Sequence, residues 1–205
     1  MDPVDWDERY RHTDLMWGAE PNRWVEQWAA ALAPGRALDL AAGEGRNAIW
    51  LASRGWDTLA VDFSAVAVDR ARTLAGASLG PGAGRLRAEV RDVVTWVPPG
   101  SAFDLVVLCY LHLPPSERLA AVRAAAGAVA RGGRLCVVGH DSANLAEGVG
   151  GPQDLTVLFT PADIVDDLAG TGMSITHART ERRPVQTETG AELTALDAVV
   201  VATRP

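Results

Sequence analysis

Ala37-Leu38-Asp39-Leu40-Ala41-Ala42-Gly43-Glu44-Gly45-Arg46-Asn47 is the stretch that decides the fold. An apolar strand, Ala37 to Ala41, is interrupted only by Asp39; Gly43-Glu44-Gly45 then turns the chain into a helix, Arg46 to Arg54, that stops at Gly55. A strand feeding a helix through a glycine turn is the first half of a βαβ unit, and the pattern repeats downstream. Thr58 to Val61 make a second strand ending on Asp62, and Ser64 is placed to cap a helix over Ala65 to Ala75, with the glycine-rich stretch Gly76 to Gly84 as a loop. A third strand, Leu86 to Val90, ends at Arg91-Asp92. Phe103 to Cys109 is apolar except for Asp104, as expected of a parallel strand covered on both faces. Pro114-Pro115-Ser116 opens a helix with Leu119, Val122 and Val129 on one side, and Gly132-Gly133 closes it before the strand Arg134 to Gly139.

Working outward, Asn22 to Leu32 carry Trp24, Trp28 and Leu32 at helical spacing and end at Pro34-Gly35, so an amphipathic helix precedes the first strand. Thr160-Pro161-Ala162-Asp163 reads as a capped helix start, with the helix ending near Gly170. Two further strand-like runs, Met173 to Arg179 and Leu193 to Ala202, are joined by the polar stretch Thr180 to Glu192. That stretch has no helical periodicity, so the two runs form an antiparallel pair at the sheet edge. Right-handed crossovers then dictate an α/β fold: a Rossmann-like, doubly wound sheet of about seven strands, mostly parallel with an antiparallel terminal strand, and helices on both faces. The 205 residues suit one domain, divided into an N-terminal aromatic lid and helix (1–34), a ligand-binding core (35–140) and a segment of loops, helix and terminal hairpin (141–205).

Composition narrows the function. Hydrophobic residues at 48% and charged residues at 22% are ordinary for a globular domain. No apolar run reaches the ~20 residues of a membrane helix, and the acidic start Met1 to Glu8 lacks the pattern of a secretory signal, so a cytoplasmic address is expected. A net charge of −7 disfavours a nucleic-acid partner, and Arg182-Arg183 reads as solvated surface. Cys109 and Cys136 sit in apolar strands as small hydrophobes, with no zinc spacing. The expected partner is a small molecule, with no nucleic acid, no membrane and no metal, for a monomer or homodimer.

In an open α/β sheet the ligand lies beyond the carboxyl ends of the strands, where the winding reverses. Three features converge there. Gly43 and Gly45 let the backbone approach a ligand closely, with free amides. Asp62, seventeen residues beyond Gly45, stands where an acid accepts hydrogen bonds from ribose hydroxyls. Asp92 stands where a carboxylate meets an adenine amino group, with Val93 or Trp96 against the ring. Gly43 to Ala48 also satisfies the G-x-G-x-x-[GA] fingerprint, so a nicotinamide-dependent reductase is the main rival and a non-catalytic nucleotide-binding module a second. Against the reductase, Glu44 brings a negative charge to where a diphosphate would lie, whereas a sulfonium cofactor has no phosphate to repel.

At these residues the sequence resembles the class I S-adenosylmethionine-dependent methyltransferases: Ala37 to Asn47 looks like their first motif, Val61-Asp62-Phe63-Ser64 like the second and Arg91-Asp92-Val93 like the third. Within that family the Gly-Arg-Asn-Ala continuation and the segment Trp17-Gly18-Ala19-Glu20-Pro21-Asn22 are most similar to the tellurite-resistance and thiopurine methyltransferase branch; Ala42 stands where a cysteine or glycine is usual. The resemblance implies S-adenosylmethionine as cofactor and S-adenosylhomocysteine as product. It implies binding by Asp39, Ala41, Gly43, Gly45, Arg46 and Asn47 from the first motif, Asp62, Phe63 and Ser64 from the second, and Asp92 and Val93 from the third. Cys109 and Tyr110 would face the methionine moiety and the reacting centre.

A sulfonium methyl is already electrophilic, so alignment and exclusion of water are the main tasks, and a base helps only a hydroxyl or amine acceptor. Candidate catalytic bases are His112 and His140. Each also has a plain reading as a partly buried, hydrogen-bonded histidine. Trp6, Tyr10 and Trp17 precede the first regular helix and are candidate acceptor walls, as is Asp141 beside His140. Asp141 with Asn144 reads as a turn rather than a magnesium site. The tract Gly148 to Asp154 is either a connector or a flap over the acceptor. The acceptor atom has no readable code.

Overall fold

In a computed structural model, which describes residues 3–13, 15, 16, 18–186, 190 and 192–205, the strand ahead of the glycine turn, β1 (Arg36–Leu40), lies inside a seven-stranded sheet. The others are β2 (Asp57–Asp62), β3 (Leu86–Val90), β4 (Phe103–Cys109), β5 (Val129–His140), β6 (Ser174–Gln186) and β7 (Glu192–Thr203), in the order β3-β2-β1-β4-β5-β7-β6. The first five are parallel; β7 runs antiparallel between β5 and β6. The expected α/β architecture is therefore present. Because β5 ends at the pair His140–Asp197 while β7 and β6 continue to the pair Gln186–Glu192, a two-stranded ribbon projects past the carboxyl rim beside β5.

The helices are α1 (Pro3–His12), α2 (Arg23–Ala29), α3 (Arg46–Ser53), α4 (Ala65–Leu79), α5 (Pro115–Ala128), α6 (Asn144–Glu147) and α7 (Pro161–Asp167). Alternation along each strand sorts them to two faces. Ala37 and Ala60 point to the face that buries Val25 and Ala29 of α2, Leu51 of α3 and Val68 and Ala71 of α4. Leu38, Leu40, Leu59 and Val61 point to the other, with Val122 and Ala125 of α5 and Ile164 of α7. The caps follow the sequence: Ser64 accepts from Ala67 N, Asn22 from Trp24 N, and Thr160 forms a capping box with Asp163. No helix among the described residues is long and apolar enough to cross a membrane.

Four local expectations fail. Gly76 to Gly84 is not a loop: α4 continues to Leu79 and a 3-10 turn follows over Gly80–Arg85. One interior glycine costs about 1 kcal/mol, and packing Leu79 against the cluster of Ala60, Leu86 and Ala88 offsets it. Val129 does not belong to α5 but opens β5 opposite Phe103, and Gly132-Gly133 form an irregularity within the strand instead of a helix stop. A Cβ on Gly133 would fall 2.9 Å from the Ala130 carbonyl oxygen. The polar stretch after Arg179 is mostly strand, since β6 is an edge and its polar side chains meet solvent. Finally, Trp6 and Tyr10 do not precede the first helix; they lie on α1.

Gly139 of β5 is where Phe159 packs onto the sheet, and a Cβ there would sit 2.2 Å from Phe159 Cζ. Gly139→Ala should therefore destabilise the fold by about 1–3 kcal/mol, read as a lower urea midpoint at unchanged m-value.

Candidate active site

The glycine turn and the acid at the end of β2 are joined directly. Gly43 N donates to Asp62 Oδ2 at 2.8 Å, and Ser64 N donates to Asp62 Oδ1 at 2.9 Å. Burial raises the Asp62 pKa against the opposing pull of the Ser64, Gly43 and Phe63 amides. A carboxylate offers about four acceptor sites, so Asp62 keeps capacity for a ligand hydroxyl. Gly45 has φ +81, and a Cβ there would meet Ala71 Cβ at 3.0 Å, so the turn requires glycine both for conformation and for contact with α4. The glycine amides are not free, contrary to expectation: Gly45 N donates to Ala42 O as Gly43 N does to Asp62. The donors that would cradle a diphosphate are thus committed internally, which weakens the dinucleotide reading. The objection based on Glu44, however, lapses, because Arg70 Nη1 lies 2.9 Å from Glu44 Oε1 and neutralises it.

Asp39 is enclosed beneath this turn. Oδ2 accepts from Ala48 N at 3.1 Å, while Oδ1 is buried with no hydrogen-bond partner among the described residues. Burial pushes its pKa up to about 7. Asn47 commits its carboxamide oxygen to Asn22 N at 2.8 Å, tying α3 to the cap of α2 and turning that oxygen away from a ligand. Asp92 is exposed and caps its own turn through Val94 N, with Val93 buried in the core below. The helix α1 lies over the start of α4: Asp7 Oδ1 accepts from Ser64 Oγ and from Val66 N, and Arg70 Nη1 also donates to Thr13 O. Tyr10 is buried and pairs with Trp6 at 5.7 Å between centroids. Trp6 and Tyr10 therefore stand at the Asp62 end of the rim, not beside the histidines; with strands about 4.8 Å apart, the ends of β2 and β5 are roughly 14 Å from one another. Trp17 lies outside the described residues.

The other half of the rim assembles around a residue that the sequence reading overlooked. Asp197 of β7 is fully buried, and its Oδ2 accepts from Trp24 Nε1 at 2.8 Å, Tyr110 Oη at 3.1 Å and Arg183 Nε at 2.7 Å. Arg183 is thus not solvated surface. An acid inside the apolar run Ala195 to Ala202 was the available signal, since a buried carboxylate demands donors. Asp141 is buried as well, but Oδ1 accepts from Ala143 N and Oδ2 from Thr180 Oγ1, so it serves the turn and β6, not an acceptor wall. Asn144 likewise serves the chain: its oxygen accepts from Leu196 N and its amide donates to Gly150 O, holding the glycine tract down.

The two candidate bases stack at 5.4 Å and 17°. His112 Nε2 accepts from the main-chain N of His140 at 3.1 Å, and burial lowers its pKa to about 4; this matches the plain reading, a neutral histidine bound to backbone. His140 also has a lowered pKa, from burial and against the pull of Asp197, with Arg183 lowering it further. Gly151 packs over the His140 ring, where a Cβ would fall 2.6 Å from Cδ2, 2.7 Å from Cγ and 2.9 Å from Nε2. Burial raises the Cys109 thiol well above its ordinary value, which favours its neutral form. Ala41 and Tyr110, which follow β1 and β4, both have left-handed backbones, with φ 53 and 55.

Residues 37–133 match the family described as a methyltransferase domain. The chain is similar to magnesium protoporphyrin IX methyltransferase (ChlM) from Synechocystis PCC 6803 with bound SAH, at 20% identity and TM-score 0.69 over 98% of this chain and 94% of that one. It is similar to TehB from Haemophilus influenzae at 15% identity and TM-score 0.71, over 98% and 66%. A third likeness, at 22% identity and TM-score 0.73 over 98% and 92%, is to the structure from work on conversion of a disulfide bond into a thioacetal group during echinomycin biosynthesis. At these identities the likenesses speak for the fold. No curated protein matches significantly.

The raised Asp39 pKa has a consequence for stability. Its folded value of about 7 exceeds the ordinary 3.8, so the contribution is fully present below about pH 4 and is lost as pH rises to about 7. Asp39→Asn removes that loss. The stability of the variant relative to the parent should rise between pH 4 and 7 and level off above, as read by urea denaturation across the range.

Proposed function

We propose that the chain is an S-adenosylmethionine-dependent methyltransferase, on the match of residues 37–133 to a methyltransferase domain and on its fold, and that it methylates a small molecule bound between the glycine turn and the wall formed by Tyr110, His112, His140 and Arg183. The observation that carries this reading is the 2.8 Å hydrogen bond between Gly43 and Asp62, which puts the turn and the ribose-binding acid side by side at the rim. The residues suit the cofactor. Asp62 retains acceptor capacity for ribose hydroxyls, Asp39 Oδ1 is a buried acceptor with no donor among the described residues, and the internally bonded glycine amides suit a ligand without phosphate. Trp6 and Tyr10, with Asp7 fastened to Ser64, close the adenosine end.

When bound, S-adenosylmethionine supplies an electrophilic methyl carbon, which leaves its sulfur as a neutral thioether while the acceptor atom forms the new bond. The protein orients the acceptor against Tyr110 and the stacked histidines and excludes water with the Gly148–Gly151 tract. For a hydroxyl or amine, the proton is taken at His140 Nε2, which is neutral at physiological pH because burial lowers its pKa. His112 is a positioning residue, since its Nε2 holds the main chain of His140.

Two outcomes test this. S-adenosylhomocysteine should bind the parent in calorimetry, and Asp62→Ala should weaken it about 10- to 100-fold; absence of binding at high micromolar concentration, or thermal stabilisation by NADH alone, would overturn the reading. Across a panel of phenol, thiol and metalloid-oxyanion acceptors, His140→Asn should lower kcat about 100-fold or more for phenols while sparing thiolates, which need no base.

A further inference from the structure

The carboxylate at the centre of the acceptor-side network belongs to no motif and touches no glycine turn. We propose that Asp197 is a positioning residue that holds the His140 ring with Nδ1 protonated, leaving the Nε2 lone pair directed at the acceptor. The proposal deepens the proposed function and relies on it for the acceptor, but the state of the ring is a property of the protein alone.

Three observations carry it. First, His140 and Asp197 are direct cross-strand partners on β5 and β7, so their side chains leave the sheet on the same face. Second, the two carboxylate oxygens are unequally occupied. Oδ2 takes Trp24, Tyr110 and Arg183 Nε, whereas among the described residues Oδ1 has only Arg183 Nη2 at 3.4 Å and lies 3.7 Å from His140 Nδ1. That ring nitrogen is buried and has no hydrogen-bond partner among the described residues, so a proton on it has one carboxylate to face. A contraction of under an ångström makes the hydrogen bond, in the way catalytic contacts tighten when ligand binds. Third, Gly151 packs over the part of the ring away from Nδ1: a Cβ there would fall 2.6 Å from Cδ2, 2.7 Å from Cγ and 2.9 Å from Nε2.

The remaining groups around the ring do not compete for the Nδ1 proton. Tyr110 donates its hydroxyl to Asp197, and His112 Nε2 accepts from the His140 main-chain N. Asp141 has both oxygens turned to Ala143 and Thr180, and Arg183 carries no acceptor. When the ring takes a proton at Nε2, the resulting imidazolium faces Asp197, whose charge Arg183 only partly offsets. Trp24, Tyr110 and Arg183 thus aim the carboxylate, and the carboxylate aims the base.

The test is 15N-resolved NMR of the histidine rings in the full chain without ligand, with His140→Asn used to assign the signal. In the parent, neutral His140 should appear as the Nδ1–H tautomer, and Asp197→Asn should lower its ring pKa by about one unit. The Nε2–H tautomer in the parent, or a ring pKa unmoved by Asp197→Asn, overturns the proposal. Should Asp197→Asn fail to fold, Arg183→Gln serves instead: with a competing donor and a cation gone, the ring pKa should rise with the Nδ1–H tautomer kept, and an unmoved pKa overturns the proposal equally. S-adenosylhomocysteine calorimetry on the same samples separates the two readings. The expected ring state without cofactor binding defeats the methyltransferase reading only, and binding with the wrong ring state defeats the role of Asp197 only.

Discussion

The parting of β1 and β4 is the constraint from which the site follows. The strands are hydrogen-bonded neighbours, yet the helix after β1 covers one face of the sheet and the helix after β4 the other. The chain leaves each strand through a left-handed residue that is not glycine, Ala41 and Tyr110, a conformation that costs of order 1–3 kcal/mol apiece. Hydrogen bonds on the outer sides hold both in place: Ala42 N donates to Val61 O on β2, and Tyr110 N donates to Val138 O on β5. Each strained exit is thereby tied to the strand on its outer side, Ala41 toward β2 and Tyr110 toward β5, so the two turns part by the winding of the chain alone.

Each half of the rim then has its own carboxylate hub, and the two are built on opposite logic. Asp62 is satisfied by main-chain amides and keeps lone pairs in reserve, which suits a residue meant to accept from a ligand. Asp197 is satisfied by side chains from α2, β6 and the exit of β4, and removing such a charge from water costs several kcal/mol, recovered only because Arg183 supplies the opposite charge and Trp24 and Tyr110 complete the shell. The reversed strand β7 makes this possible: running antiparallel, it carries Asp197 to the very end of β5 and continues as a ribbon beyond it, so that Arg183 of β6 reaches back over the rim.

The Asp62 half of the rim, the half proposed for the cofactor, was legible because its residues are local. Ala37 to Asn47, Asp62 and Asp92 each follow a strand within a few residues, so a glycine pair and two acids at strand ends announce themselves once the strands are recognised. The Asp197 half was not, because Trp24, Tyr110, His140, Arg183 and Asp197 are drawn from five distant segments and only the sheet order unites them. Arg183 looked like surface because an edge strand alternates polar residues with no sign of which one turns inward. Asp197 did carry a signal, an acid flanked by Leu196 and Ala198. Glycine is not punctuation at two helix ends: Gly76 is absorbed by the packing of α4, and Gly132-Gly133 serve a strand irregularity.

The glycines after α6 show why composition alone could not choose between connector and flap. Abundance of glycine suggests freedom, yet two of these residues are required for clearance: a Cβ on Gly148 would fall 1.9 Å from Asn144 Oδ1, and one on Gly151 would fall 2.6 Å from His140 Cδ2. Asn144 binds β7 through its oxygen and the Gly150 carbonyl through its amide, so the tract is seated over the imidazole ring. Any molecule approaching that side of the ring must displace Gly151 or replace its contact, and the space Gly151 occupies is a property of folded backbone that no residue type in the tract encodes.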